Sequence, residues 1–221
     1  MLPPQLKNLM QQFTRLPGIG PRQAARFVFY LLRNQDDIST LANTLESVRD
    51  SIKLCENCFL PASPTNRGEP AYDSPACAIC VSPHRDKNTI CVVEKETDAL
   101  NFEKTGQYQG HYFVLGGFID PLNKESIAYE RLKLLMERLG NDHPSPLLRK
   151  EGKSATCEVI FALTPRREGD FTSLYIEEQL KPLKEQGLKI KTTRLGRGLS
   201  SGAELEYADE ETLKNALAGR S

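Results

Sequence analysis

Apolar residues recur at helical spacing near the start of the chain, at Leu6, Leu9, Met10 and Phe13, and again at Ala24, Phe27, Val28 and Leu31. This predicts two amphipathic helices, joined by Leu16-Pro17-Gly18-Ile19-Gly20-Pro21. A third helix is signalled by Asp36 and Asp37 at its start, followed by Ile38, Leu41, Leu45, Val48 and Ile52 at intervals of three and four. So narrow a stripe fits packing on the first two helices and contact with another subunit equally well.

From Thr89 the period changes. Residues 89–94, 111–115, 157–163 and 188–192 are apolar or alternating runs of strand length. Residues 96–104, 125–139 and 171–186 read as helices, the last interrupted by Pro182. Alternating strands and helices predict an α/β domain with a mostly parallel sheet, whose ligand edge lies at the carboxyl ends of the strands. Residues 141–156 are polar, contain proline and lack a period, so they read as an exposed loop. A turn over 197–202 leads to a further helix starting near Asp209.

The chain has 221 residues with 29 basic and 29 acidic side chains, which suits one larger domain with smaller modules. No apolar run approaches the roughly 18 residues that span a bilayer, and the amino terminus lacks a signal-peptide core. The cytoplasm is therefore the expected compartment, and no membrane is expected as a partner. Neutrality conceals a local imbalance, because residues 1–35 hold Lys7, Arg15, Arg22, Arg26 and Arg33 and no carboxylate. Gly18 and Gly20 let the backbone approach a ligand closely, and Pro21 opens the next helix without needing its own N–H. Arg22 and Arg26 share a face one turn apart, beside the free N–H groups and positive dipole end of that helix. The segment reads as a grip for nucleic-acid phosphates, with a plain helix-loop-helix corner as the alternative.

Cys55 and Cys58 form one C-x2-C pair and Cys77 and Cys80 another, with 18 residues between them, a spacing found in zinc ribbons. Two such pairs complete a four-thiolate shell, so the expected cofactor is one structural Zn2+ per chain. An iron–sulfur cluster or a redox dithiol would use the same residues. His84 could replace one thiolate but reads as a solvent-facing linker residue. Cys91 and Cys157 fall inside predicted strands and read as core.

The basic hairpin, the four cysteines, a strand ending Cys91-Val92-Val93-Glu94 with Asp98 four residues on, and a closing Arg197-Gly198-Leu199-Ser200-Ser201-Gly202-Ala203-Glu204-Leu205-Glu206-Tyr207-Ala208-Asp209 occur in one order. That order closely resembles the RecR family of bacterial recombination mediators over essentially the whole chain. The resemblance implies a helix-hairpin-helix DNA-binding module over 1–53, a four-cysteine zinc finger over 54–83, a Rossmann-like Toprim domain over 84–196, and a short carboxyl-terminal motif and helix over 197–221. It implies a non-enzymatic DNA-repair protein that forms a ring-like oligomer, commonly a tetramer, around or beside DNA. Such a protein works with RecO, and in many bacteria RecF, to help load RecA onto single strands covered by single-strand-binding protein. DNA binding then maps to Gly18, Ile19, Gly20, Arg22 and Arg26, and partner binding to Glu94 and Asp98. The chain departs from the family in a longer loop between the cysteine pairs, with Pro61, Pro64, Pro70 and Pro75, and in an apparent insertion over 141–156. Ser200 stands where proline is usual and Ala203 where glycine is usual.

Toprim enzymes hold Mg2+ with a Glu after the first strand and an Asp-x-Asp pair after a later one, because phosphoryl chemistry needs several converging oxygen ligands. Glu94 supplies the first, but after the strand 157–163 the chain reads Thr164-Pro165-Arg166-Arg167-Glu168-Gly169-Asp170. Thr164 and Arg166 stand where the acidic pair is expected, and the arginines would repel a divalent cation. Glu168 and Asp170 read as carboxylates at the start of the next helix, with Gly169 opening it. The competing reading is a Mg2+-dependent Toprim nuclease or primase-like enzyme. Gly152-Lys153-Ser154 ends like a P-loop, but Leu147 takes the place of its first glycine and a strand follows where a helix is required, which excludes a nucleotide site there.

Overall fold

The computed structural model describes residues 2–63, 76–140 and 156–196, together with Thr212. The expected loop over 141–156 falls almost wholly outside them, as do Pro64, Pro70, Pro75, the closing motif and the helix start near Asp209. The chain divides into two compact units, Met1–Lys53 and Leu54–Ser221.

The first unit is three helices, α1 (Pro4–Thr14), α2 (Pro21–Arg33) and α3 (Gln35–Ser51). Proline opens the first two, at positions where its missing N–H would have no helical acceptor anyway. Ala24 and Val28 of α2 are fully buried, and Phe13 of α1 meets Phe27 of α2 with ring centroids 5.7 Å apart. α3 carries no buried residue. Its stripe of Ile38, Leu41, Leu45, Val48 and Ile52 stays between 38% and 60% exposed, so packing on α1 and α2 does not cover it.

Next along the chain come a two-stranded ribbon, β1 (Lys53–Leu54) and β2 (Pro61–Ala62), and the single turn α4 (Ala78–Val81). Then follow β3 (Asp86–Val93), α5 (Glu96–Thr105), β4 (Gly110–Val114), α6 (Ile127–Gly140), β5 (Cys157–Ala162), α7 (Arg167–Glu185) and β6 (Ile190–Arg194). The four longer strands form one wholly parallel sheet in the order β4-β3-β5-β6. Val93 pairs with Val114 on one side and Ala162 on the other, so three strands end level at the carboxyl edge.

Alternation along the strands sorts two cores. Ile90, Val92, Phe113, Val159 and Phe161 pack with Leu132, Leu135 and Leu139 of α6 and Ile176 and Leu180 of α7. Cys91, Val93, Tyr112, Val114 and Ala162 pack with Ala99 of α5 and with Cys55, Cys58, Leu60, Ala62 and Cys77. The cysteine segment therefore shares a core with the sheet.

β3 starts three residues earlier than the sequence expectation and α6 two residues later, and two further differences have a clear local cause. α7 begins at Arg167, four residues early, because Asp170 N–H already bonds to the Arg166 carbonyl at 2.9 Å. Gly169 thus lies inside the first turn, where an added Cβ would come within 2.1 Å of the Thr164 carbonyl oxygen; it permits a close crossing and does not open the helix. β6 starts two residues late, because Gly187 takes φ +94° and Leu188 N–H turns back to the Leu183 carbonyl at 3.2 Å.

His111 on β4 is 5% exposed, and neither ring nitrogen has a hydrogen-bond partner among the described residues. Burial first, then Arg85 and Lys87, pushes its pKa below the ordinary 6.5, against weaker opposition from Asp86 and Cys55. Below that value the unfolded chain binds a proton that the folded imidazole refuses, so stability falls as pH drops. In denaturant unfolding at pH 7 and pH 5, the native chain is expected to lose more stability on acidification than His111→Phe does.

Candidate nucleic-acid interface and metal centre

The turn between α1 and α2 is built by Gly18, at φ +79°, a conformation that favours glycine, and by Ile19 N–H bonding back to the Leu16 carbonyl at 3.2 Å. Gly20 is the N-cap of α2 and provides no side-chain cap, while Pro21 takes the first helical position. The N–H groups of Arg22 and Gln23 therefore have no acceptor among the described residues, the first helical bond being Ala24 N–H to the Gly20 carbonyl at 2.9 Å. Arg22 and Arg26 are exposed and form no ion pair or hydrogen bond among the described residues. Free N–H groups and two free guanidinium groups on one helix end can receive phosphate oxygens.

The four cysteines expected to bind metal come together, with all their sulfurs within 4.8 Å of one another. Cys55 and Cys58 flank a tight turn in which Phe59 N–H bonds to the Cys55 carbonyl at 2.9 Å, and Cys77 is the N-cap of α4, which carries Cys80. Cys58 and Cys77 sulfurs lie 3.4 Å apart, and Cys77 N–H donates to the Cys55 sulfur at 3.3 Å. Thiols this close cannot all ionise unaided: hydrogen bonds from Cys58 and Cys77 hold Cys55 far below the ordinary thiol range, while those to Cys55 and Cys58 push Cys80 far above it. A metal ion is what lets four such sulfurs be thiolates together. His84 is exposed and outside this group.

At the carboxyl edge of the sheet, Glu94 follows β3 directly and is 6% exposed. Thr164 Oγ1 donates to its Oε2 at 2.9 Å, and Lys95 Nζ lies 2.9 Å from its Oε1. Asp98 caps α5 by accepting Lys95 N–H at 3.0 Å. Arg166 and Arg167 are exposed at the start of α7. Asp170 lies 3.9 Å from Arg194, and no carboxylate group joins Glu94 in a metal-binding cluster among the described residues.

The structure adds residues that pattern reading passes over. Lys95 supplies the counter-charge to Glu94. Arg131 and Arg138 of α6 are buried together with Ala128, Leu132, Leu135 and Leu139, and Arg138 donates to the carbonyls of Glu56 and Asn57 between the first two cysteines. Their signal in the sequence is two arginines at positions 131 and 138 on the apolar stripe of a helix.

Three family models match this chain: RecR, helix-hairpin-helix, over residues 6–49; Toprim domain over 88–194; and RecR, C-terminal, over 198–221. Recombination protein RecR of Cyanothece sp. is 40% identical over 217 residues, covering 97% of this chain and 94% of that protein. The RecR proteins of Gloeothece citriformis and Bifidobacterium longum subsp. infantis are each 39% identical, over 100% and 97% of this chain and 97% and 94% of their own lengths. These matches bear out the resemblance seen in the order of motifs.

Cys91 and Cys157 are buried, and burial pushes each thiol up to about 12. Mapping by mass spectrometry after treatment of the native chain with a disulfide reagent at pH 8 is expected to find both unmodified, and both modified once the chain is denatured.

Proposed function

Because the chain belongs to the RecR family of recombination proteins, we propose that it is a non-enzymatic, DNA-binding mediator of recombinational repair in the cytoplasm. It grips phosphates through Gly18, Ile19, Gly20, Arg22 and Arg26, without reading base sequence. It acts with RecO, and with RecF where present, to help load RecA on single-stranded DNA. The observation that carries this reading is a contrast of charge: the hairpin arginines are free to meet an anion, while the Toprim carboxylate is engaged by its own chain. Lys95 neutralises Glu94 and Thr164 holds its other oxygen, an arrangement that disfavours a divalent cation. Partner proteins dock at this edge, where Asp98 and the exposed Lys95 and Arg166 meet them and the buried Glu94 acts by holding Lys95 in place.

The metal is one structural Zn2+ per chain, held by Cys55, Cys58, Cys77 and Cys80. Zinc–sulfur bonds of about 2.3 Å place tetrahedral sulfurs roughly 3.8 Å apart, which agrees with a group spanning at most 4.8 Å; a multi-iron cluster would spread its thiolates wider. Four protein ligands leave no position for a reactive water, so the ion's contribution is to folding, on the order of 10 kcal/mol. The exposed stripe of α3 supports assembly of several chains, as a ring-like homotetramer that presents several hairpins to one strand.

DNA binding measured against salt, with and without Mg2+, tests this reading. The double variant Arg22→Ala, Arg26→Ala is expected to lower the slope of log K against log salt by about one unit per arginine, for every sequence alike, with the DNA left intact. An unchanged slope removes the hairpin assignment. Mg2+-dependent cleavage that vanishes in Glu94→Ala would replace the mediator with the Toprim enzyme reading.

A further inference from the structure

Arg138, in the last turn of α6, is 3% exposed. Among the described residues it has no carboxylate within ion-pair distance. Its two terminal nitrogens donate instead to the successive carbonyls of Glu56 and Asn57, the residues between the ligands Cys55 and Cys58, and the Glu56 side chain itself is exposed. The next carbonyl, of Cys58, accepts Val114 N–H of β4 at 3.0 Å. Three consecutive carbonyls of the first cysteine turn are thus held by the sheet and its covering helix.

Phe59 fixes the end of the same turn. It is the one non-glycine among the described residues with positive φ, at 64°, a conformation that costs about 1–2 kcal/mol and relaxes unless its surroundings hold it. Its ring stands edge-on to Phe113 at 5.4 Å, with the Arg131 guanidinium 4.3 Å and that of Arg138 5.4 Å from its centroid. Arg138 also lies 5.8 Å from the Phe113 ring. Burying a guanidinium costs several kcal/mol unless a negative charge offsets it, and the anionic groups that act on it are first the cysteines and then, more weakly, the exposed Glu56 carboxylate; four thiolates around a divalent ion leave the metal centre net negative.

We propose that Arg138 is a positioning residue of the metal centre. Its fork holds the turn from Cys55 to Cys58 in its ligating shape, and its charge balances the excess charge of the thiolates. The inference rests on the zinc reading above. Outer contacts of this kind typically change metal affinity by about 10- to 100-fold.

The test uses the purified full chain with zinc bound. Zinc content per chain is measured first, then the rate of zinc transfer to a chelating dye, and then the thiolate-to-metal absorption of the Co2+ form. Arg138→Met is expected to release zinc about 10- to 100-fold faster with a shifted Co2+ band, and Arg138→Lys, which keeps the charge and loses the fork, to fall between it and the native chain. Leu135→Ala, which weakens the packing of α6 in a core cluster that holds none of the four metal-site cysteines, is expected to keep the native band and release rate. Native release from Arg138→Met overturns the proposal, as does equally fast release from Leu135→Ala, which would make the role of Arg138 merely structural. Should Arg138→Met fail to fold, native release from Arg138→Lys overturns it in the same way. A native chain that holds no zinc overturns the zinc reading itself and this inference with it, an outcome distinct from zinc held equally well by native chain and variants.

Discussion

A parallel sheet must be covered on both faces, and the second face of this one is covered by a ten-residue helix and two cysteine turns. α6 and α7 cover the first face amply. On the other, Cys55, Cys58, Leu60, Ala62 and Cys77 complete a core that α5 begins through Ala99. The cysteine segment is too short to hold a core of its own and the sheet lacks cover without it, so each supplies what the other needs. The cofactor site is a wall of the domain and not an appendage to it.

Charge is distributed by the same economy of parts. At the amino end of β3, Arg85 is tied to Glu103 and to the carbonyls of Tyr108 and Gly110, and Tyr112 donates to the same carboxylate at 2.7 Å. At the carboxyl end Glu94 is matched by Lys95 and Thr164. At both ends of β3 the second unit thus meets its charges with its own side chains, whereas the first leaves Arg22 and Arg26 open to solvent. A neutral chain can in this way present one cationic surface to a polyanion.

The α/β alternation, the four cysteines and the hairpin were legible because each has a signal of its own: a period, a spacing, a pair of glycines. The ribbon of β1 and β2 and the single turn α4 show no period, being too short for a pattern to recur. The early start of α7 was hidden because Thr164-Pro165-Arg166 looks like a break, and only the close crossing at Gly169 shows the helix already under way. Lys95 beside Glu94 was hidden for another reason. Neighbours in a strand point apart, and it is the turn into α5 that brings the ammonium to the carboxylate. An arginine in a helix's last turn is ordinarily taken to complement the dipole; that Arg138 crosses to another element depends on a tertiary contact 82 residues away in sequence.

The bond from Val114 N–H to the Cys58 carbonyl has one further consequence. β4 is one of the two edge strands of the sheet, and its outward N–H groups are a template on which another extended segment could add. The cysteine turn occupies that template near the strand's end, as a clasp closes an open seam. Whatever keeps the four sulfurs together therefore also keeps this stretch of the β4 edge from pairing with strands of other molecules.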